Sequence, residues 1–198
     1  MGSFLIAQAQ KHRPQQIVEL GSGVSTLILG SIAKTWGGQV LSFEQDLHFA
    51  KITQERLDRF GLHNVQIRLA PLTDRRLLGE TWKWYDLDPE TIERPIDFLF
   101  IDGPPAYIQK LSRFPALPIL KDKLTPSAVI ILDDADRGDE KNVLSRWLKA
   151  FPQLRLLPFA PESEAGIALL HWEIEAPLPR PPRLTENPQE INYLDATF

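Results

Sequence analysis

The sequence predicts an α/β fold in which a doubly wound, mostly parallel seven-stranded sheet ends in an antiparallel pair of strands. Short apolar runs rich in β-branched residues alternate with longer segments of helical periodicity, which is typical of consecutive βαβ units. One of these runs, Ile96–Ile101, is apolar except for Asp97, as expected of a central parallel strand that is buried on both faces. In such a sheet, ligands bind beyond the carboxyl ends of the strands, near the point where the strand order reverses.

The first half of the chain is predicted to contain three strands and the two helices that connect them. The strands are expected at residues 17–20, 40–44 and 65–69. The helices are expected at residues 24–36 and 46–60. Asp46 is suited to cap the second helix at its N-terminus, and glycines at 37, 38 and 61 follow the two helices, where helices commonly end.

The second half begins with a long irregular stretch, residues 71–95, which contains Trp82, Trp84 and Tyr85. These aromatic side chains are expected either to cover the site or to form a separate packing cluster. Strands are expected at residues 96–101 and 128–132, followed by a final antiparallel pair at residues 154–159 and 166–173. Helical segments are expected up to about Lys123 and from Asp136 or Gly138 to Ala150.

Composition is that of an ordinary globular protein and excludes several classes of function. The 198 residues suit a single domain, assigned to residues 1–175, followed by a proline-rich extension at residues 176–198. The absence of cysteine excludes disulfides and thiolate metal sites. The net charge of −4 without a basic cluster argues against nucleic acid, and no apolar run reaches the ~18 residues of a membrane span. With no secretory signal, we expect a cytoplasmic protein.

A glycine-rich turn, Glu19–Ser25, joins the first predicted strand to the first predicted helix. Gly21 and Gly23 allow a tight turn and a close approach of a ligand to the main chain, and the helix N-terminus offers free N–H groups. A dinucleotide-binding turn usually has a third glycine, and Thr26 occupies that position here. The turn is therefore either a site for another ligand or an ordinary strand-to-helix connection.

Glu44 ends the second predicted strand, about 20 residues beyond the glycine-rich turn. A carboxylate at this place can accept hydrogen bonds from both hydroxyls of a ribose. Alternatively, Glu44 is a solvated carboxylate or a helix cap, and the adjacent Gln45 and Asp46 compete for the ribose role. Together with the glycine-rich turn, Glu44 favours a nucleoside site.

Three carboxylates follow neighbouring strands: Asp102 after the fourth strand, and Asp133 and Asp134 after the fifth. Clustered carboxylates raise one another's pKa unless a cation or a hydrogen-bond donor offsets them. Mg²⁺ or another hard divalent cation would do so. The alternative is that Asp133 or Asp134 caps the next helix while Arg137 neutralises the rest. Arg113 and Arg137 are expected to form salt bridges with these aspartates.

Together these segments resemble the class I S-adenosylmethionine-dependent methyltransferases over roughly residues 14–172. The resemblance is carried by the stretches VELGSGVST, SFEQD, LAPL, DFLFIDGPP and IILDDADR. The last two, with RFPALP between them, are most similar to a bacterial branch of small-molecule O-methyltransferases. The resemblance implies the Rossmann-like fold of that superfamily and S-adenosylmethionine as the cofactor.

The resemblance also implies roles for individual residues. The cofactor site would be formed by Glu19, Gly21, Ser22, Gly23, Ser25, Glu44, Gln45, Ala70, Pro71, Leu72 and Asp102. Glu19 would support the amino group of the cofactor, Glu44 would hold the ribose, and residues 70–72 would border the adenine without an acid to bind its amine. Asp102 or Asp134 would act as the catalytic base. The metal ligands of catechol-type O-methyltransferases would be matched by Asp102, Asp133 and Asp134, with Asp134 in place of an asparagine.

The function that follows is methyl transfer to an oxygen of a small molecule or a saccharide. Two alternatives stay open: an aminopropyltransferase-like or NAD-binding enzyme, and a non-catalytic binding module. The missing third glycine argues against NAD. Only about sixteen residues precede the first strand, so we expect no substantial N-terminal cap. The acceptor site would then be open or completed by a partner subunit, as in a homodimer.

Overall fold

Nine strands and five α-helices make up residues 1–158 and 166–174, the part of the chain that the computed structural model describes. The strands are β1 (Gln16–Leu20), β2 (Gln39–Glu44), β3 (Val65–Leu69), β4 (Leu72–Leu77), β5 (Glu80–Tyr85), β6 (Ile96–Ile101), β7 (Leu124–Leu132), β8 (Leu154–Leu156) and β9 (Ala168–Trp172). The helices are α1 (Gly2–His12), α2 (Val24–Lys34), α3 (Leu47–Arg59), α4 (Ala116–Leu120) and α5 (Gly138–Ala150). The proline-rich extension predicted for residues 176–198 lies outside the described residues.

Seven of the strands form one sheet in the order β3-β2-β1-β6-β7-β9-β8. The five strands from β3 to β7 in this order run parallel, whereas β9 is antiparallel to both β7 and β8. This confirms the predicted mostly parallel sheet with an antiparallel end. The chain winds outward from β1 through β2 to β3 and then crosses to β6 on the other side of β1. The strand order therefore reverses at β1, and a crevice for a ligand opens at the carboxyl ends of β1, β2 and β6.

The sheet is buried on both faces because alternate residues of its central strands point to opposite sides. On one face, side chains such as Ile17 and Phe98 pack with buried residues of α1, α2 and α3. On the other face, side chains such as Val18 and Leu99 pack with β5, α4 and α5, including Trp147 of α5. Two cores thus hold the central strands rigidly from both sides. Among the described residues, no helix is long and apolar enough to cross a lipid bilayer.

The stretch at residues 71–95, predicted to be irregular, instead contains an antiparallel hairpin of β4 and β5. Its turn uses Leu78 at φ 53° and Gly79 at φ 84°, the positive angles that suit a tight two-residue hairpin connection. Trp82, Trp84 and Tyr85 of β5 are all buried in the core. The three side chains therefore form neither a lid nor a separate packing cluster but part of the main core on this face of the sheet.

Helix α1 is a second difference from the prediction, which expected no substantial cap before the first strand. The helix packs against α2 and buries Leu5 and Ala9, which lie one turn apart on the same face. Arg13 ends the helix in the left-handed conformation, with its N–H donating to the carbonyl of Ala9. The N-terminal residues therefore add a layer beside the carboxyl end of β1.

Asp46 caps α3 as predicted, and its carboxylate accepts hydrogen bonds from the N–H groups of His48 (2.7 Å) and Phe49 (3.3 Å). Asp46→Ala is expected to lower the free energy of unfolding by about 1 kcal/mol, because these two N–H groups lose their acceptor. Urea unfolding measures the change. Asp46→Asn, which retains an acceptor oxygen, serves as the control and should stay close to wild type. Equal stability of the alanine variant would show that the cap contributes nothing.

Candidate functional site

A cavity of about 500 Å³ opens at the carboxyl ends of β1, β2 and β6, where the strand order reverses. Seven of the predicted cofactor residues line it: Gly21, Ser22, Gly23, Ser25, Glu44, Gln45 and Asp102. The sequence analysis did not assign the other lining residues to the site: Met1, Gly2, Leu5, Val24, Ile28, Phe49, Gly103 and Pro105. Several of these belong to α1, α2 and α3, whose apolar side chains give the cavity a mixed polar and apolar wall.

The glycine-rich turn approaches the turn after β6 very closely. Gly21 has φ 97°, a backbone conformation that favours glycine, and its N–H donates to the carbonyl of Phe43 (2.8 Å). A Cβ atom at Gly21 would lie 3.3 Å from the carbonyl carbon and oxygen of Asp102. Asp102 in turn donates its N–H to the carbonyl of Leu20 (3.0 Å). The two turns are therefore held against each other by their backbones, and glycine is required where they meet.

Thr26, which stands in the place of a third glycine, links the turn to the sheet. Its hydroxyl accepts a hydrogen bond from the N–H of Gly23 (2.8 Å) and donates to Oε2 of Glu19 (2.6 Å). From the sequence alone, a threonine at this position indicated only that the turn is not a dinucleotide-binding turn. In the structure, a hydroxyl is needed there, because it joins the first turn of α2 to a buried carboxyl group in β1.

Glu19 is fully buried beneath the cavity and does not line it. Its Oε2 also accepts a hydrogen bond from the hydroxyl of Ser42 (2.7 Å). Its Oε1 has no hydrogen-bond partner in the described part of the chain. Burial raises the pKa of Glu19 to about 7, which outweighs the opposite effect of the nearby hydroxyls, and the charge of Glu44 raises it further. Glu19 therefore supports the glycine-rich turn from beneath, through the hydroxyl groups of Thr26 and Ser42, and does not itself line the cavity.

Glu44 holds the glycine-rich turn from the neighbouring strand. Its Oε2 accepts hydrogen bonds from the N–H (2.8 Å) and the hydroxyl (2.9 Å) of Ser22, and its Oε1 accepts one from the N–H of Asp46 (3.0 Å). The side chain is buried, so Glu44 is not a solvated strand-end carboxylate. It borders the cavity at the end of β2, where a ribose role was predicted.

The predicted adenine-bordering residues, Ala70, Pro71 and Leu72, lie beside Glu44 but are not among the residues that line the cavity. Ala70 is fully buried, and its N–H donates to the carbonyl of Glu44 (2.7 Å). The structure therefore places the three residues next to the predicted ribose end of the site. Their contact with an adenine stays a prediction.

The three aspartates meet as predicted. One carboxylate oxygen from each of Asp102, Asp133 and Asp134 lies within 4.8 Å of the others. Asp134 has φ 56°, a left-handed backbone conformation that directs its side chain back towards the cluster region. Asp102 also borders the cavity, so the cluster lies beside the predicted methionine end of the site.

The guanidinium group of Arg113 contacts this cluster, which confirms the predicted salt bridges. Its Nη2 donates to Oδ1 of Asp102 (3.1 Å) and to Oδ2 of Asp134 (2.9 Å), and its Nη1 donates to the carbonyl of Asp133 (2.6 Å). Arg137 adds a second salt bridge to Oδ2 of Asp134 (2.7 Å). Burial nevertheless raises the pKa of Asp102 to about 7. The charge of Arg113 lowers this pKa, whereas the charges of Asp133 and Asp134 raise it. A carboxyl group with such a pKa can accept a proton near neutral pH.

A sequence profile of the family described as "Methyltransferase domain" matches residues 18–135 of the chain. These residues include the glycine-rich turn, Glu44 and all three aspartates. A search of curated proteins found no match to the sequence.

Several solved structures share the fold. An O-methyltransferase from Bacillus cereus in complex with S-adenosylhomocysteine has 20% identity and a TM-score of 0.64, and the match covers 87% of this chain and 80% of that chain. The O-methyltransferase TomG from Streptomyces achromogenes in complex with S-adenosylmethionine has 18% identity, a TM-score of 0.62 and coverages of 87% and 79%. The S-adenosylhomocysteine-bound methyltransferase PaMTH1 from Podospora anserina has 17% identity, a TM-score of 0.66 and coverages of 87% and 78%.

Proposed function

Because this chain belongs to the methyltransferase-domain family, we propose that it binds S-adenosylmethionine and transfers the methyl group to an oxygen of a small molecule or a saccharide. The observation that carries the proposal is the cavity between the glycine-rich turn, Glu44 and Asp102. Two of the solved structures that share the fold are named as O-methyltransferases and were determined with S-adenosylhomocysteine or S-adenosylmethionine.

The polar groups around the cavity suit this cofactor. The buried carboxyl group of Glu19 lies beneath the cavity and holds the glycine-rich turn through Thr26 and Ser42, so we propose that it supports the amino group of the cofactor indirectly. The close approach of the backbones at Gly21 leaves a main-chain wall without side chains for the methionine part. Glu44 offers carboxylate oxygens at the position proposed for the ribose, and a cavity of about 500 Å³ is in the usual size range of a small-molecule site.

S-adenosylmethionine supplies an activated methyl group on a sulfonium, so the protein has to orient the acceptor, exclude water and take up a proton. We assign the uptake of the proton to Asp102, because its carboxyl group borders the cavity and titrates near neutral pH. Asp134 forms salt bridges with both Arg113 and Arg137 and is not among the residues that line the cavity.

Glu44→Ala is expected to weaken the binding of S-adenosylhomocysteine at least tenfold, or by about 1.4 kcal/mol. The variant removes the proposed ribose acceptor and also releases the N–H and hydroxyl of Ser22, so both the ligand and the turn that binds it lose hydrogen bonds. Isothermal titration calorimetry measures the affinity. Unchanged affinity would contradict the ribose assignment.

The matched control is Glu93→Ala, which changes an exposed glutamate outside the cavity and should leave the affinity unchanged.

Calorimetry also tests the proposed function itself. The wild-type protein is expected to bind S-adenosylhomocysteine and not NAD, since Thr26 replaces the third glycine of a dinucleotide site. Absence of S-adenosylmethionine binding at millimolar concentration would overturn the proposal.

A further inference from the structure

We propose that Arg113 occupies the position of a divalent cation in this site, so that the three aspartates are organised by a guanidinium group of the protein and not by a metal. The inference deepens the proposed function, because it states how the acceptor side of the same site is built. It concerns the carboxylates of Asp102, Asp133 and Asp134, which the resemblance to catechol-type O-methyltransferases would assign to a metal.

The hydrogen bonds of Arg113 use the atoms that a metal would need. Its Nη2 lies 3.1 Å from Oδ1 of Asp102 and 2.9 Å from Oδ2 of Asp134. The same nitrogen donates to the carbonyl of Asp102 (3.2 Å), and Nη1 donates to the carbonyl of Asp133. Arg113 therefore binds the carboxylates of Asp102 and Asp134 and, through backbone carbonyls, the turns that carry all three aspartates. A guanidinium group suits this task because its donors lie in one plane and diverge in fixed directions.

The guanidinium group is also held from behind. Arg113 is only 3% exposed, and its Nε lies 4.0 Å from Oε1 of Glu140, which is itself buried. Ser112, the preceding residue, is buried and donates its hydroxyl to the carbonyl of Pro104 (2.9 Å). Phe114, the following residue, accepts a hydrogen bond at its carbonyl from the indole of Trp147 (2.9 Å). The segment that carries Arg113 is thus fixed to the turn after β6 and to α5.

A divalent cation and Arg113 cannot share these carboxylates. Metal ions of this kind bind carboxylate oxygens at about 2.0–2.6 Å, and such an ion on Oδ1 of Asp102 and Oδ2 of Asp134 would directly face Nη2. Two positive groups at that separation repel each other. Moving Arg113 away would leave Glu140 as a buried carboxylate without a partner cation among the described residues.

Arg113 is consequently a positioning residue for Asp102. It contacts Oδ1 of Asp102 and leaves Oδ2 free of the guanidinium group. The carboxyl group proposed as proton acceptor is held at the cavity wall by a permanent cation, and the acceptor hydroxyl binds there without a bridging metal.

Titration with Mn²⁺, followed by electron paramagnetic resonance, tests the inference on the full-length protein. Wild type is expected to show no saturable Mn²⁺ site up to 1 mM at this cluster. Arg113→Gln removes the cation but keeps a polar side chain, and it is expected to gain one Mn²⁺ site at least tenfold tighter than any wild-type binding. Adding Asp134→Ala to Arg113→Gln, which removes one ligand oxygen, should weaken that site at least tenfold. Arg113→Lys, which keeps the positive charge, is the matched control and should bind no Mn²⁺.

A wild-type Mn²⁺ site that Asp134→Ala abolishes would overturn the inference, and so would a folded Arg113→Gln protein that binds no Mn²⁺. Should Arg113→Gln not fold, wild type and Asp134→Ala still decide, because a metal site in wild type is incompatible with the proposed role of Arg113. Calorimetry with S-adenosylhomocysteine on the same samples separates this result from the proposed function. Failure to bind that ligand would contradict the function, whereas the Mn²⁺ titration reports only on the aspartates.

Discussion

Replacing Gly103 by alanine is expected to lower the free energy of unfolding by about 3 kcal/mol, since overpacking of a tight core typically costs 1–3 kcal/mol or somewhat more. A Cβ atom at this position would overlap the hydroxyl of Tyr85, a side chain that is fully buried. It would also lie 3.3 Å from the carbonyl of Leu20 and 3.4 Å from Cα of Gly21. The backbone of Leu20 and Gly21 and the hydroxyl of Tyr85 all crowd this position. None of these atoms can move away from an added Cβ without disturbing the packing around it.

Tyr85→Phe provides the decisive companion variant. The Tyr85 hydroxyl has no hydrogen-bond partner among the described residues, and burial holds its pKa well above the usual range, so it stays protonated. Removing it should leave the protein as stable as wild type, or about 1 kcal/mol more stable. In the Tyr85→Phe background, Gly103→Ala should cost less than half of its cost in wild type. Gly138→Ala, an exposed glycine with open space around it, is the control. Equal losses with and without the hydroxyl would refute the steric explanation.

The stability of the protein is expected to fall by roughly 2–3 kcal/mol between pH 5 and pH 8 on account of Glu19 alone. Burial raises the pKa of this carboxyl group from its ordinary value of 4.5 to about 7. The folded protein therefore holds a proton that the unfolded chain has already released, and stability decreases as the pH rises from 4.5 to about 7. Above about pH 7 the loss of stability caused by Glu19 no longer increases. Below pH 4.5 this loss is absent, because the group is protonated in both the folded and the unfolded chain. Urea unfolding at several pH values measures this slope.

Glu19→Gln isolates this contribution, because its amide oxygen can still accept the hydroxyls of Thr26 and Ser42. The variant should lose roughly 2–3 kcal/mol less stability than wild type over the same pH interval. Asp102→Asn is measured in parallel, because Asp102 also has a raised pKa. Its contribution to the pH dependence of stability must be separated from that of Glu19. Identical pH slopes for wild type and Glu19→Gln would show that Glu19 titrates normally in the folded protein.

Much of the fold could be predicted from the sequence, because its central strands are marked by strong apolar runs. The hairpin of β4 and β5 was missed, since its alternating pattern around Trp82 and Trp84 is short and its turn places the non-glycine residue Leu78 at positive φ. Helix α1 was missed because only Leu5 and Ala9 are fully buried on it, and its position depends on packing against α2. Both elements are specified by tertiary contacts more than by local pattern.

The acids of the site were predictable for a simple geometric reason: parallel strands bring their carboxyl ends to one edge, so Asp102, Asp133 and Asp134 had to meet. The salt bridge from Arg113 was expected only from its opposite charge, because Arg113 precedes α4 and does not end a strand. The function of Thr26 was not predictable, because it depends on the distance from its hydroxyl to Glu19 across the turn. The contribution of Met1 and Gly2 to the cavity wall was not predictable either, because it depends on where α1 packs.

The antiparallel course of β9 determines where the protein can be attached to a surface or a label. β9 starts beside Leu132, at the edge of the sheet that holds the cavity, and runs towards the opposite edge, where the N–H of Ile174 donates to the carbonyl of Pro126. Ile174 therefore lies at the far edge of the sheet, whereas Met1 lies in the cavity wall. A label attached at Ile174 is thus remote from the mouth of the cavity, and a tag fused to Met1 places foreign chain at that mouth.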